Sequence, residues 1–251
     1  MNKISCDKHN IEIQKNLKYW ESKPILKKIY QKFYKLIFNH LQNNIQGKVV
    51  EIGSGLGNLK MVVPDCISTD IFFNPWIDQV ENAYKMSFSD NSVSNLILFD
   101  VWHHLEFPGN ALREFNRVLV PEGRVIIFDP AMSILGFIVY GFFHNEPIGF
   151  FKKIKWWAPK DFSFKDEFYY AAQGNATRIF HSKRFSDFLL DWKIIKIKRI
   201  SSISYVASGG YSGRQLYPDC LYSLMKSIDK LCNYIPQLFA TRLLVVIEKN
   251  K

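Results

Sequence analysis

Three glycines at alternate positions follow a short apolar run that contains one carboxylate. Residues 49–58 read VVEIGSGLGN, so the glycines are Gly53, Gly55 and Gly57. A β-branched run of this kind predicts a buried strand, and glycines directly after it allow a sharp turn into a helix whose backbone a ligand can approach. The dinucleotide-binding fingerprint places its third glycine three residues after the second, where this chain has Asn58. The spacing therefore disfavours a nicotinamide-dependent oxidoreductase.

Two groups of residues able to accept a proton lie further along the chain. His103 and His104 follow an apolar run at 93–99, and His144 stands two residues before Glu146. An imidazole changes charge near neutral pH and can act as a general base, and a carboxylate beside it can orient it. We predict that a general base comes from His104, from His103 or from the His144–Glu146 pair. The alternative is that these histidines only order loops or pack against a helix.

The elements around these residues alternate between strands and helices. Apolar runs predict strands at 48–52, 66–71, 93–99 and 124–128, and helical spacing predicts helices at 25–42 and 110–119. The alternation predicts an α/β fold with a doubly wound, mostly parallel sheet. The 251 residues form one domain in this interpretation. It comprises an N-terminal helical region (1–45), a core (46–130), an aromatic insert or cap (131–192) and C-terminal strands with a helix (193–251).

Five sequence pieces in this order resemble motifs of the class I S-adenosylmethionine (SAM)-dependent methyltransferases, in the group with the ubiquinone and menaquinone biosynthesis enzymes. They span residues 49–130, about a third of the chain. Two positions depart from the usual motifs, because Ser94 replaces an aspartate and Glu122 replaces a glycine. The five pieces are the glycine loop, Asp70 at the end of the second strand, residues 85–94, VWHHLEFP at 101–108, and residues 112–123.

The resemblance implies a seven-stranded Rossmann-like sheet with an antiparallel last strand, and SAM as the cofactor. It implies that Glu51 receives the SAM ammonium, that Asp70 binds the ribose hydroxyls, and that Asn82 and Ala83 read the adenine. The glycine loop approaches the methionine and ribose portions, and an N-terminal residue covers the cofactor. The full predicted cofactor set is Glu51, Gly53, Ser54, Gly55, Gly57, Asp70, Asn82, Ala83, Phe99, Asp100 and Trp20.

The charge leaves the methyl acceptor open. A formal net charge of +10 favours an anionic partner such as nucleic acid or a membrane surface, although the lysines are spread along the whole chain. DNA methyltransferases that modify amino groups carry an Asn/Asp-Pro-Pro-aromatic motif after the fourth strand, where this chain has FDVW at 99–102. We therefore expect a small, hydrophobic or glycolipid-like acceptor. The alternatives are an RNA methyltransferase and a non-catalytic SAM-binding partner subunit.

The remaining features concern metals and location. The four cysteines contain no C-x-x-C pair, so we expect reduced thiols, no metal site and a cytoplasmic protein. The nearly uncharged run at 131–143 predicts a buried helix or one resting on a membrane. Lysines and tryptophans at 152–157 also suit peripheral membrane contact. Aromatic residues of the insert line an acceptor pocket or form the core of a cap: Phe150, Phe151, Trp156, Trp157, Phe162, Phe164, Phe168, Tyr169 and Tyr170.

Overall fold

The computed structural model describes residues 2–3, 6–144, 146–163 and 168–251. The strands are β1 (Asn2–Lys3), β2 (Lys48–Ile52), β3 (Ile67–Asp70), β4 (Gln79–Val80), β5 (Val93–Phe99), β6 (Leu119–Pro130), β7 (Phe168–Tyr169), β8 (Trp192–Ser201) and β9 (Ala240–Lys249). The α-helices are α1 (Cys6–Ser22), α2 (Pro24–Phe38), α3 (Pro108–Val118), α4 (Ile134–Phe142), α5 (Asn175–Phe180), α6 (Ile203–Ala207), α7 (Tyr222–Cys232) and α8 (Pro236–Phe239). Short 3₁₀ helices lie at Asn58–Met61, Trp102–His104, Lys183–Leu189 and Asp219–Leu221.

Seven strands form one sheet in the order β4-β3-β2-β5-β6-β9-β8. The first five are parallel, and β9 runs antiparallel to both β6 and β8. β1 and β7 form a separate antiparallel pair. This order confirms the predicted doubly wound sheet with an antiparallel last strand.

Helices cover both faces of the sheet because the central strands are apolar on both sides. α3 begins at Pro108, and its helical spacing places Ala111, Leu112 and Phe115 on one buried face. α2 covers the opposite face, where Ile29 and Phe33 are buried. The parallel strands therefore end together at one exposed edge, which is where open α/β sheets bind their ligands.

Two local predictions differ from the structure. The glycine loop is followed only by the 3₁₀ helix Asn58–Met61, so the expected strand-to-helix turn stops after about one turn. Pro64 lacks an N–H donor and disfavours helical backbone at Val63, which explains the early end. β6 also begins five residues earlier than predicted. Its pairing with β5 jumps from Leu119 to Arg124, so residues 120–123 form a bulge within the strand.

The uncharged run at 131–143 does not form a fully buried helix. Within α4 only Gly136 and Tyr140 are buried, while Ile134, Ile138 and Phe142 are exposed along one face. No helix in the described part of the chain combines the length and the apolar character that a membrane crossing needs.

The aromatic insert contributes partly to the core. The Trp156 ring is buried and stacks on Phe185 at 5.7 Å between centroids, and Phe162 packs on Phe107 at 4.7 Å. Phe151, by contrast, is 93% exposed. Phe164 and the side chains of Phe168 and Tyr169 lie outside the described residues. Within the described insert, the inward aromatics thus form a cap core and the outward ones remain on the surface.

Candidate active site at the carboxyl edge of the sheet

The glycine loop follows β2, and all three of its glycines have positive φ values of 68°, 52° and 62°. A Cβ atom at Gly53 would lie 2.5 Å from the Val101 side chain, and one at Gly57 would lie 2.6 Å from the Trp76 carbonyl. A Cβ at Gly55 would meet nothing within 4 Å. The outer two glycines therefore allow close packing, whereas the middle one faces open space that a ligand can fill.

Hydrogen bonds from β3 hold this loop in place. The Ser54 backbone N–H donates to the Thr69 carbonyl at 2.8 Å, and the Thr69 N–H donates to Ser54 Oγ at 3.0 Å. Asp70 Oδ2 accepts from the Gly55 N–H at 3.0 Å, and Asp70 Oδ1 lies 3.4 Å from His9 Nε2 on α1. Burial raises the pKa of Asp70, and His9 opposes that rise. Asp70 thus lies directly against the open side of the loop.

Glu51 lies in β2, two residues before the first glycine of the loop, and is 3% exposed. Its Oε2 atom has no hydrogen-bond partner among the described residues. Burial raises the pKa of Glu51 to about 8. A buried carboxylate without a full set of partners is costly unless a cation or donor reaches it. The position therefore suits the ammonium group of a ligand.

Asn82 and Ala83 lie in a turn after β4, close to Asp70 along the same edge. Asn82 Oδ1 accepts from the Tyr84 N–H at 2.9 Å, and Ala83 is buried. The neighbouring Glu81 donates its backbone N–H to the Asp70 carbonyl at 2.9 Å and accepts from the Ser87 N–H at 2.9 Å. This buried glutamate orders the turn, and the sequence analysis did not single it out.

Phe99 and Asp100 end β5 in different environments. The Phe99 ring packs into the aromatic core on the α2 side, 5.3 Å from Tyr30 and 5.1 Å from Phe128. Asp100 has a positive φ of 56°, and its carboxylate pairs with the guanidinium of Arg242 on β9. Burial raises the pKa of Asp100, and Arg242 opposes that rise. Asp100 therefore remains at the sheet edge, while the Phe99 ring serves the core.

Trp20 lies on α1 and packs into the aromatic core. Its ring is buried, 5.8 Å from Tyr30 and 6.3 Å from Tyr211 between centroids. His9 on the same helix contacts Asp70, which holds the glycine loop. The same helix thus supplies one residue to the core and another to the site.

The three predicted histidines converge on Glu146, the fourth candidate. Glu146 Oε2 lies 3.2 Å from His103 Nε2 and 3.9 Å from His144 Nδ1, and Oε1 lies 3.6 Å from His104 Nε2. The Glu146 N–H also donates to His144 Nδ1 at 3.2 Å. Four residues from two distant segments therefore share one site, although the sequence presented them as rival pairs.

The Nδ1 atoms of His103 and His104 each contact an oxygen acceptor. His103 Nδ1 contacts Asp129 Oδ1 at 2.9 Å, and His104 Nδ1 contacts the Tyr170 carbonyl at 2.8 Å. Burial alone would lower the pKa of His103, but Asp129 and Glu146 raise it to about 10. Burial and the positive charge of His103 lower the pKa of His104 to about 4. Asp129 and Glu146 thus favour a positive charge on the His103 ring, and that charge disfavours a second one on His104.

Three residues of this region were missed at the level of sequence. Asp129 ends β6 beside the end of β5, so its place after an apolar strand was a usable signal. Arg242 is 2% exposed and interrupts the apolar strand β9, and its Cζ lies 4.4 Å from the Tyr205 ring centroid. Gln173, whose amide nitrogen donates to Glu146 Oε2, follows no pattern that sequence reasoning could detect.

Part of the chain matches the model of a known protein family. Residues 65–127 match the methyltransferase domain model. No curated protein sequence matches the chain. The match covers β3 to most of β6, which includes Asp70, Asn82, Asp100 and the paired histidines.

Solved structures of low sequence identity share the fold. A SAM-dependent methyltransferase from Thermotoga maritima, described as a possible histamine N-methyltransferase, has 12% identity and a TM-score of 0.56, covering 97% of this chain and 100% of its own. A SAM-dependent methyltransferase from Archaeoglobus fulgidus has 13% identity and a TM-score of 0.54, covering 89% and 94%. Geranyl diphosphate C-methyltransferase from Streptomyces coelicolor A3(2) has 8% identity and a TM-score of 0.52, covering 88% and 80%. The chain thus contains a region that matches a methyltransferase domain, and its sheet has the strand order of the class I SAM-dependent methyltransferase fold.

Proposed function

We propose that this chain transfers the methyl group of SAM to a small apolar or lipid-linked acceptor held beside Glu146. The open space at Gly55, bordered by Asp70, carries the cofactor half of the proposal. Glu51 would receive the ammonium group, and Asp70 would bind the ribose hydroxyls through charge-assisted hydrogen bonds. Asn82 and Ala83 lie along the same edge and would contact the adenine.

The histidine–glutamate cluster supports a role in proton removal. Methyl transfer is an in-line displacement that consumes the sulfonium charge, and an alcohol or amine acceptor must also lose a proton. Burial lowers the pKa of His104 and of His144, so the imidazole of either residue can enter the reaction uncharged, with a nitrogen lone pair available. Glu146 would hold these imidazoles in position for the acceptor.

An exposed apolar surface supports an acceptor taken from a lipid phase. Phe142 of α4 is 82% exposed, and the ring of Phe137 on the same helix lies 4.9 Å from Phe150. The Phe150 ring in turn packs on the exposed Phe151. The exposed Lys152 and Lys153 follow directly in the sequence. Aromatic residues flanked by lysines are typical of segments that lie at an anionic membrane surface. We therefore propose peripheral membrane contact through this surface.

Vesicle sedimentation tests the membrane contact. We expect the protein to sediment with anionic phospholipid vesicles, and Phe142→Ser combined with Phe151→Ser to remain in the supernatant. Leu216→Ser is the matched control, because Leu216 is 75% exposed at another place. Equal sedimentation of all three proteins, or of none, would contradict this contact.

Calorimetry tests the proposed function itself. We expect purified protein to bind SAM and its demethylated product, S-adenosylhomocysteine, and to release that product with an apolar phenol, quinone or glycolipid precursor. Binding without turnover on any acceptor would favour the partner-subunit alternative. Salt-dependent RNA binding with RNA methylation would favour the nucleic-acid alternative. Absence of binding to either SAM compound would overturn the proposal.

A further inference from the structure

Three nitrogen and oxygen donors meet at one point of the cluster. His103 Nε2, His104 Nε2 and the Glu146 carboxylate lie within 4.8 Å of one another. The shortest separations are 3.2 Å from His103 to Glu146 Oε2 and 3.6 Å from His104 to Glu146 Oε1. A tetrahedral ion with ligand bonds of about 2.0–2.2 Å holds its donor atoms about 3.3–3.6 Å apart. The two histidine–carboxylate separations are close to that spacing, and all three donor groups lie within the 4.8 Å that one small divalent cation can draw together.

The contacts of the Nδ1 atoms in His103 and His104 also favour metal binding. His103 Nδ1 is held by the buried Asp129 carboxylate, and His104 Nδ1 is held by the Tyr170 carbonyl. A histidine that binds a metal characteristically donates its other ring N–H to a carboxylate or a backbone carbonyl. Such donation fixes the tautomer and leaves Nε2 as the donor toward the metal. Both histidines have this arrangement, and both Nε2 atoms face Glu146.

We propose that His103, His104 and Glu146 bind one divalent transition-metal ion, with Zn²⁺ as the probe. Two histidines and one glutamate form a known ligand set of catalytic zinc, which leaves a coordination position open. No metal site was predicted from the sequence, because the four scattered cysteines were the only ligands weighed.

The surroundings provide a polar shell for such an ion. Gln173 is 1% exposed, and its amide nitrogen contacts Glu146, while its Oε1 has no hydrogen-bond partner among the described residues. His144 Nδ1 lies 3.9 Å from Glu146 Oε2, and its side chain is 37% exposed. The open coordination position would therefore lie in a pocket that solvent and an acceptor can reach from the His144 side.

A metal at this place would activate the acceptor, an inference that rests on the proposed methyl transfer. An acceptor oxygen bound at the open position would lose its proton more easily. The O–H bond would break, and the proton would leave to water at the exposed His144 side of the cluster. The oxygen then forms its bond to the methyl carbon while the S–CH₃ bond breaks, and the sulfonium becomes a neutral thioether. Charges and atoms balance without any further reactant.

The test measures metal binding and does not depend on activity. The experiment uses tag-free protein with the substitutions Cys220→Ser and Cys232→Ser, because these two accessible thiols could capture zinc. After chelator treatment and removal of the chelator, we expect one equivalent of Zn²⁺ to bind per chain in competition with a chromophoric chelator. His103→Ala and Glu146→Gln should weaken the affinity by at least tenfold. Asp129→Asn should weaken it by about 10- to 100-fold through His103.

Matched controls separate ligation from folding. His181→Ala removes a histidine outside the cluster and should keep the full equivalent. Each variant must keep its far-ultraviolet circular dichroism, and His104→Gln replaces any variant that does not. Visible absorption of bound Co²⁺ should appear in the parent protein and disappear in the ligand variants.

Two results would overturn the metal proposal, namely no bound equivalent in the parent, or undiminished binding in all the ligand variants. S-adenosylhomocysteine binding by the metal-free protein is measured separately. If that compound binds but zinc does not, only the metal inference fails. If that compound does not bind, the proposed function fails, whatever the metal result.

Discussion

The glycine loop and the histidine–glutamate cluster lie at the same sheet edge but are built differently. The loop residues from Glu51 to Asp70 come from two adjacent parallel strands, and backbone hydrogen bonds fix them. The cluster draws on His103, Asp129, Glu146 and Gln173, and side-chain contacts hold it together. Backbone geometry shapes the loop, the proposed cofactor side, whereas charge pairing shapes the cluster, the proposed acceptor side. The two sides should therefore fail in different ways when they are mutated.

The largest expected effect concerns turnover on the acceptor side. Loss of a general base costs about 10²- to 10⁴-fold in rate. We expect His104→Ala or His144→Ala to lose that much in kcat with the acceptor found by screening, while the affinity for S-adenosylhomocysteine stays unchanged. His181→Ala is the control and should keep its rate. Full rate in both cluster variants would show that methyl transfer needs neither histidine.

The next effect concerns the ion pair that stands between the two sides. Arg242 is fully buried against the Asp100 carboxylate, so Arg242→Ala leaves a carboxylate without its partner. Breaking a fully buried pair costs about 3–5 kcal/mol, and because the Asp100 side chain is 30% exposed we expect the lower end of that range. Denaturant titration should show a loss of this size in the free energy of unfolding. The double variant Asp100→Asn, Arg242→Met should recover most of it, and a single variant as stable as the parent would contradict the assignment.

The third effect concerns ligand space on the cofactor side. Gly55→Arg should weaken binding of S-adenosylhomocysteine by at least about 100-fold, or about 2.7 kcal/mol. Its side chain would fill the space that the loop leaves open. Gly55→Ala is the matched control, because it carries the same left-handed backbone strain, about 1–2 kcal/mol, without the bulk. Calorimetry should show equal losses of stability in the two variants but a loss of affinity only for arginine. Unchanged affinity of the arginine variant would mean that the loop does not face the cofactor.

These contrasts explain how much could be predicted from sequence. The strand at 93–99 and the loop after β2 were predicted correctly because short-range apolar runs and glycine spacing encode them. The convergence of His103 with Glu146 was not predicted, since 43 residues separate them and no periodicity connects the two segments. Arg242 was missed because its role depends on the antiparallel placement of β9 beside β6. Local pattern predicted the cofactor side, whereas the acceptor side depends on tertiary placement.

The smallest expected effect on cofactor binding concerns the charge of Glu51. Burial raises the pKa of Glu51 from 4.5 to about 8 in the folded protein, so the protonated form favours folding. The free energy of unfolding should therefore fall as the pH rises from about 4.5 to about 8. Glu51→Gln cannot ionise, and its stability should lack this decline when denaturant titrations are repeated across the same range.

The SAM affinity should follow the opposite trend. The ammonium of SAM favours the ionised carboxylate, so the parent should bind more tightly as the pH approaches 8, by at most about tenfold per pH unit. Glu51→Gln should bind about tenfold more weakly near pH 8, or about 1.4 kcal/mol, without that slope. Gly55→Ala keeps the carboxylate and should keep the slope. Identical pH profiles for the parent and Glu51→Gln would place the ammonium elsewhere, and the backbone of the loop would then be the main cofactor contact.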